Sequence, residues 1–150
     1  MKKYVAGLMF SIDGLSVALI VKNKPDWQKG LLNGIGGKIE EYDSVDSKTI
    51  KKRNLNAMVR EFKEETGVEY HNWELFLKMS GNNTDEDKTP FSVDFYRAFT
   101  DEIYNVTTIT EESIVIRNVC DLLSLNAIDN LKWIILLALD KNPKITKTTY

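Results

Sequence analysis

Cysteine is nearly absent from this 150-residue chain, where Cys120 stands alone. That excludes a disulfide within the chain and any cysteine-rich zinc site, and it suits a reducing compartment. Histidine is equally scarce. His71, in the polar stretch EYHNW, has no patterned partner and reads as a surface loop residue rather than a catalytic base. Long hydrophobic runs are also missing: the longest, WIILLAL near the C-terminus, is far too short to cross a bilayer. Nor is there an excess of positive charge, since 20 Lys and Arg stand against 22 Asp and Glu, a formal net charge of −2. The chain therefore carries no basic footprint for a nucleic-acid backbone, although a nucleotide needs only a local cationic patch or a metal. No repeat, linker or low-complexity tract is visible.

What remains is the composition of an ordinary globular protein, 43% hydrophobic and 28% charged, and we read 1–150 as one domain with its own core. The opening MKKYVAGLMFSIDG has two lysines before apolar residues, but it alternates like a strand and is not read as a secretory leader. The expected location is cytoplasmic. Lys3 to Ile12 and Ser16 to Val21 read as strands around an Asp13-Gly14 turn. KNKPDWQKG is a loop, and LLNGIGGKIE should be extended and tightly turned. From Asn54, a candidate N-cap, the period becomes helical: Leu55, Met58, Val59 and Phe62 form an apolar stripe that ends at a C-cap Gly67. Trp73 to Met79, Phe91 to Phe99 and Ser113 to Val119 read as strands, the first two separated by the polar loop SGNNTDEDKTP. Asn126 to Asp140 reads as a largely buried helix, and 141–150 as a loosely held tail. The class is α/β (α+β).

The charged part of the first helix carries the chemistry. Glu61, Glu64 and Glu65 lie at i, i+3 and i+4, so their carboxylates converge on one face bordering the core. Taken alone, such a run is most often a solvated face. A hard divalent cation would instead turn the mutual repulsion into a ligand set. The neighbours favour that second reading. A glycine turn with Lys38 and Glu40 lies upstream, where bare backbone can approach a metal or phosphate. Arg60 precedes the first acid and can hold a carboxylate through two hydrogen bonds.

With these residues in view, the sequence resembles the Nudix (MutT-like) hydrolases, whose box is G-x5-E-x7-R-E-U-x-E-E-x-G-U, U being bulky and apolar. Arg60, Glu61, Phe62, Glu64, Glu65, Gly67 and Val68 match the second half at every defined position. GGKIE matches the first half with Gly37 as the box glycine, and PDWQKGLLNGIGGKIE resembles a common approach to the box. The middle departs from the pattern. Six residues after Gly37 stands Asp43, and sixteen residues separate it from Arg60 where the family has seven, a nine-residue insertion within 42–54. Asp43 and Asp46 both remain candidates for the role of the first box Glu.

The resemblance implies an α/β/α sandwich, a mixed sheet packed between helices. It implies metal-dependent hydrolysis, with Mg2+ or Mn2+, of a nucleoside diphosphate linked to another moiety: ADP-ribose, a dinucleoside polyphosphate, a nucleotide sugar or a (d)NTP. The downstream markers that separate these substrates are missing. By similarity Gly37, Glu61, Glu64 and Glu65 hold metal, with Glu40 or Glu41 as added ligands, and Glu64 is ligand or base. Arg60 orients a ligand. Glu111 and Glu112 are candidates for a further acid from a late loop, with two exposed loop acids as the plain alternative. Lys38, Trp27 and Arg97, with Tyr96 beside it, are candidates to touch substrate, and each is also an ordinary turn, packing or sheet residue. The partner is a small nucleotide rather than a membrane; nucleic acid enters only as a capped or nucleotide-linked end, and a homodimer is compatible with the sequence. The spacer's Lys48, Lys51, Lys52 and Arg53 are candidates to meet phosphates. The rival reading is a non-catalytic nucleotide-binding regulator on the same fold.

Overall fold

The computed structural model describes residues 1–45, 48–82, 89–141 and 144–149. The N-terminal alternation forms β1 (Lys2–Phe10) and β2 (Ser16–Val21). Asp13 closes the turn between them by accepting from the Ser11 hydroxyl at 2.6 Å and the Leu15 amide at 3.0 Å. The glycine-rich segment supplies two short strands, β3 (Leu32–Asn33) and β4 (Ile35–Lys38). Then come α1 (Ile50–Thr66), β5 (Glu74–Asn82), β6 (Pro90–Phe99), β7 (Ile114–Asn118), α2 (Leu131–Leu139) and β8 (Thr146–Thr149).

One mixed sheet runs in the order β3-β2-β1-β6-β5-β8, with β4 also on β1 and β7 also on β2. β1 and β6 pair in parallel along their length, as do β5 and β8. Strand alternation sends Val5, Met9, Ala18 and Tyr96 to one face, where they meet Met58 and Phe62 of α1 and Trp73. Leu8, Phe10, Leu19 and Phe95 go to the other face, under Leu131, Ile134 and Ile135 of α2. Each large apolar side chain buried in this way contributes ~1.5–3 kcal/mol, so two thin cores hold the two helices. The three-layer arrangement implied by the resemblance is the one formed.

Five readings are corrected. Helix α1 begins a turn before Asn54, capped by the Thr49 hydroxyl, which accepts from the Lys52 amide at 3.1 Å. Asn54 is instead buried inside the helix and donates to Asp94 Oδ2 at 2.9 Å, a cross-element partner that sequence spacing does not reveal. At the other end Gly67 takes φ 79°, as a C-cap glycine should, and donates to the Lys63 carbonyl at 2.9 Å. Helix α2 starts at Leu131, not Asn126, because backbone bonds between Leu32 and residues Asn126 and Ile128 draw that segment into extended pairing. Only one side of α2 is buried, leaving Leu136 and Trp133 exposed. The tail expected to hang loosely carries β8, where β-branched threonines add a strand beside β5. β5 and β6 also extend into the expected polar loop, whose residues 83–88 lie outside the described residues. No helix among the described residues is long and apolar enough to cross a membrane.

Candidate active site

The two halves of the motif meet through Arg60. Its Nε and Nη2 donate to the two oxygens of Asp43 at 2.8 and 3.0 Å. Nη2 also donates to the Lys38 carbonyl at 2.9 Å, and Nη1 to Glu61 at 2.8 Å and Glu64 at 3.2 Å. The Tyr42 ring lies beneath the guanidinium, 5.0 Å from its centre. One planar cation thus ties the glycine strand, the spacer and the acidic helix together, a task suited to a rigid fork of donors. Its bond to Asp43 is the chief cause that pushes its pKa further up, so it stays charged.

Asp43 takes the place left open in the sequence. It is 4% exposed, on a 3-10 turn over Glu41–Ser44, and it also accepts from the Glu40 amide at 2.8 Å while Glu40 returns a bond to the Asp43 amide. That reciprocal cap fixes the turn so that the shorter acid reaches Arg60. The other candidate, Asp46, lies outside the described residues. Of the spacer, Ile50 to Arg53 form the first turn of α1.

Gly37 faces Glu61 directly. A Cβ on Gly37 would collide with the Glu61 carboxylate, so only glycine admits the two at this approach. Burial pushes the Glu61 carboxyl up, with the Arg60 bond and charge opposing and the charges of Glu64 and Glu65 adding to the rise. Burial also raises Glu65, against a hydrogen bond from the Thr110 hydroxyl at 3.0 Å. Glu64 stays 56% exposed.

The late loop does border this face. Thr110 bonds Glu65, and the charge of Glu112 contributes to the rise of Glu65. Glu112 is nearly buried, accepting from Lys22 Nζ at 3.2 Å and the Asn23 amide at 2.6 Å, whereas Glu111 is exposed and offers its backbone carbonyl to Asn23. Thr110, Lys22 and Asn23 were not singled out in the sequence. Thr110 lies 45 positions from Glu65, and Lys22 and Asn23 lie 90 and 89 from Glu112, distances no local pattern spans. Lys38 is exposed and enters the network through its carbonyl rather than its ammonium. Trp27 is 61% exposed on a 3-10 turn over Asp26–Gln28.

Arg97 is not brought to the acids. It projects to the α2 face of the sheet, nearly buried, and donates to the carbonyls of Ala138 and Asp140 and to Glu74 at 3.0 Å. The physical reason is parity: Arg97 shares the register of Phe95, whereas the acids sit on the opposite side. Tyr96 does face α1, but it is buried in that core, which pushes its phenol well up. His71 is exposed beside Glu69, and Cys120 is exposed.

Among the described residues, no three carboxylate, imidazole or thiolate side chains converge into a ready-made cation cage. Glu61 and Glu64 turn to Arg60, and Glu65 to Thr110. The donors nevertheless suit a hard divalent cation. They are all oxygens, two of them lifted by burial, and the bare Gly37 backbone lies against Glu61.

No family model matches the sequence, and no curated protein matches it. Solved structures do match in shape. The MutT protein of Bacillus halodurans superposes with TM-score 0.69 at 22% identity, over 100% of this chain and 90% of that one. The NUDIX domain of Shewanella oneidensis NrtR, crystallised with ADP ribose, gives 0.69 at 18% identity, over 91% and 84%. A NUDIX hydrolase from Alicyclobacillus acidocaldarius gives 0.72 at 10% identity, over 92% and 91%. At such identities the likeness is one of architecture, and the fold of this chain is that of the Nudix and MutT proteins.

Proposed function

We propose that the chain is a metal-dependent pyrophosphohydrolase that cleaves a nucleoside diphosphate linked to another moiety, X. The observation that carries the reading is the contact of Gly37 with Glu61, on a helix face shared with Glu64 and Glu65 and ordered by Arg60 and Asp43. Glu61, Glu65 and Glu64, with the Gly37 carbonyl, would hold Mg2+ or Mn2+, which neutralises phosphate charge and acidifies water when bound. The chain's own residues do the rest. Glu64, the most exposed of the three, takes the proton of the attacking water. Oxygen adds to one phosphorus, the bridging P–O bond breaks, and two phosphorylated products leave. Arg60 stays on Asp43 and keeps the Glu61 carboxylate turned to Gly37. Trp27 offers an exposed aromatic face on which a base can stack. Glu112, held by Lys22 and Asn23, sets the environment of Glu65 and is a positioning residue.

A second reading, nucleotide binding without hydrolysis, is favoured by one observation: Glu61 and Glu64 are already engaged by Arg60, at 2.8 and 3.2 Å. One experiment separates the two. Wild type and Glu64→Gln are assayed with Mg2+ and Mn2+ on ADP-ribose, NADH, dinucleoside polyphosphates, nucleotide sugars and (d)NTPs, beside a metal titration of thermal stability. Hydrolysis by wild type, lost by about a hundredfold or more in the variant with its fold intact, supports catalysis. A metal-induced rise in Tm that Glu65→Gln abolishes supports the ligand set. Nucleotide binding with no turnover on any substrate supports the second reading instead.

A further inference from the structure

Helix α2 is apolar all the way round. Eight of the nine residues in LKWIILLAL are hydrophobic, the exception being Lys132. A helix lying on one side of a sheet needs an apolar stripe only on its inner face. That inner stripe is used: Leu131, Ile134, Ile135 and Ala138 are buried in the core below it. The outer one is not. Leu136 is 58% exposed, and Trp133, one turn before it, 39%. The apolar band continues past the helix at both ends. Lys132 Nζ donates to the Leu123 carbonyl at 3.2 Å, which sets the exposed Leu123 beside the first turn of α2. At the far end Leu137 shares a cleft of about 310 Å3 with Phe76 and Ile145. Single apolar side chains are ordinary on a surface, but a contiguous band marks a contact.

Charge complementarity identifies the occupant. The band is bounded by opposite charges, Lys132 in the first turn of α2 and Asp140 at its C-cap. One lies four residues before Leu136 and the other four after it, so both flank the same face. Turning a second copy over about a twofold axis at Leu136 sets Leu136 against Leu136. The same rotation puts Lys132 of each copy level with Asp140 of the other. The two helices then run antiparallel, and the positive end of each dipole meets the negative end of its neighbour. This is the self-complementarity an isologous contact requires, where i meets j and j meets i. A lipid surface would call for cations along the rim, and here the exposed Asp129 and Asp140 lie on it.

We propose that α2 pairs antiparallel with α2 of a second copy of this chain, with Trp133 and Leu136 at the centre and two Lys132–Asp140 pairs at the ends. At about 1.5 Å per residue the helix gives a seam of roughly 14 Å. That is far smaller than an obligate interface, so the dimer is reversible, with a dissociation constant on the order of micromolar. The acids of α1 sit on the opposite side of the sheet, so the pairing stands or falls apart from the hydrolase reading.

Sedimentation velocity on the full chain from about 2 to 200 µM tests this. Wild type should pass from monomer to dimer across that range. Leu136→Glu should stay monomeric at the top of it, with the circular dichroism and Tm of the dilute protein unchanged. Lys132→Glu and Asp140→Lys each suit the dipole of their own helix end, and the second keeps the carbonyl that Arg97 holds, so the monomers stay folded. Each nevertheless puts like charges across the seam and should weaken association by about tenfold or more. Carrying both changes restores opposite charges, and the double variant should dimerise within about threefold of wild type. Wild type that is monomeric throughout overturns the proposal, as does a dimer indifferent to Leu136→Glu. A double variant no tighter than the single ones overturns the antiparallel register. If monomeric wild type cosediments with phosphatidylglycerol vesicles and Leu136→Glu does not, the band belongs to a lipid surface and the proposal fails.

Discussion

Replacing Asp43 by Asn tests the joint that closes the site. The substitution keeps the shape but removes the charge from a carboxylate that is 4% exposed and meets Arg60 at 2.8 and 3.0 Å. Breaking a buried pair from one side costs ~3–5 kcal/mol. Here Arg60 keeps Glu61, Glu64 and the Lys38 carbonyl, and its side chain is 19% exposed. We therefore expect about 2–3 kcal/mol at neutral pH, which for a chain of this size lowers Tm by about 5–10 °C. The pH profile supplies the sharper signature. Burial pushes the Asp43 carboxyl up, but bonds from Arg60 and the Glu40 amide, with the charges of Arg60 and Arg53, outweigh it and hold it below the usual range. A carboxyl depressed in the folded state stabilises fully above its unfolded pKa of ~3.9 and loses that contribution as pH falls through the lower folded value. Urea denaturation at a series of pH values should show wild type and Asp43→Asn far apart at neutrality and converging below about pH 4. A gap under about 0.5 kcal/mol at neutral pH, or one that does not shrink on acidification, refutes the assignment of Asp43 to this joint.

Two further substitutions probe the geometry. Gly37→Ala places a methyl group where the Glu61 carboxylate lies; because that carboxylate ends a side chain able to swing away, circular dichroism should show the fold retained while turnover drops by about tenfold or more. Arg97→Leu should destabilise by about 2–4 kcal/mol in chemical denaturation, since it leaves two carbonyls at the end of α2 without their donor, and KM for any substrate should stay within about twofold. A large KM change with unaltered stability would return Arg97 to the substrate site.

How far the sequence reached depended on the range of each signal. The β-branched run SVALIV located β2 to the residue, and Gly67 marked the end of α1, because both depend on neighbours within one turn or one strand. The start of α1 was misread. Asn54 has the chemistry of a cap, but a buried Asp94 forty positions away claims its side chain. Arg97 stays open between substrate contact and sheet residue in the sequence, because a polar residue on a strand does not say which sheet face its register will give it. Pairing of β1 with β6 decides that, and no local pattern records it.

The sequence by itself determined that three carboxylates share one helix face, that a glycine pair precedes them, and that Arg60 stands between. These follow from helical period and residue identity alone. Only the tertiary structure decided which spacer acid joins them and how the Thr110 loop reaches Glu65. Those contacts join elements far apart in the chain. They exist because the sheet brings β4 beneath α1, and the Glu40–Asp43 turn then carries Asp43 back to Arg60 across the sixteen intervening residues.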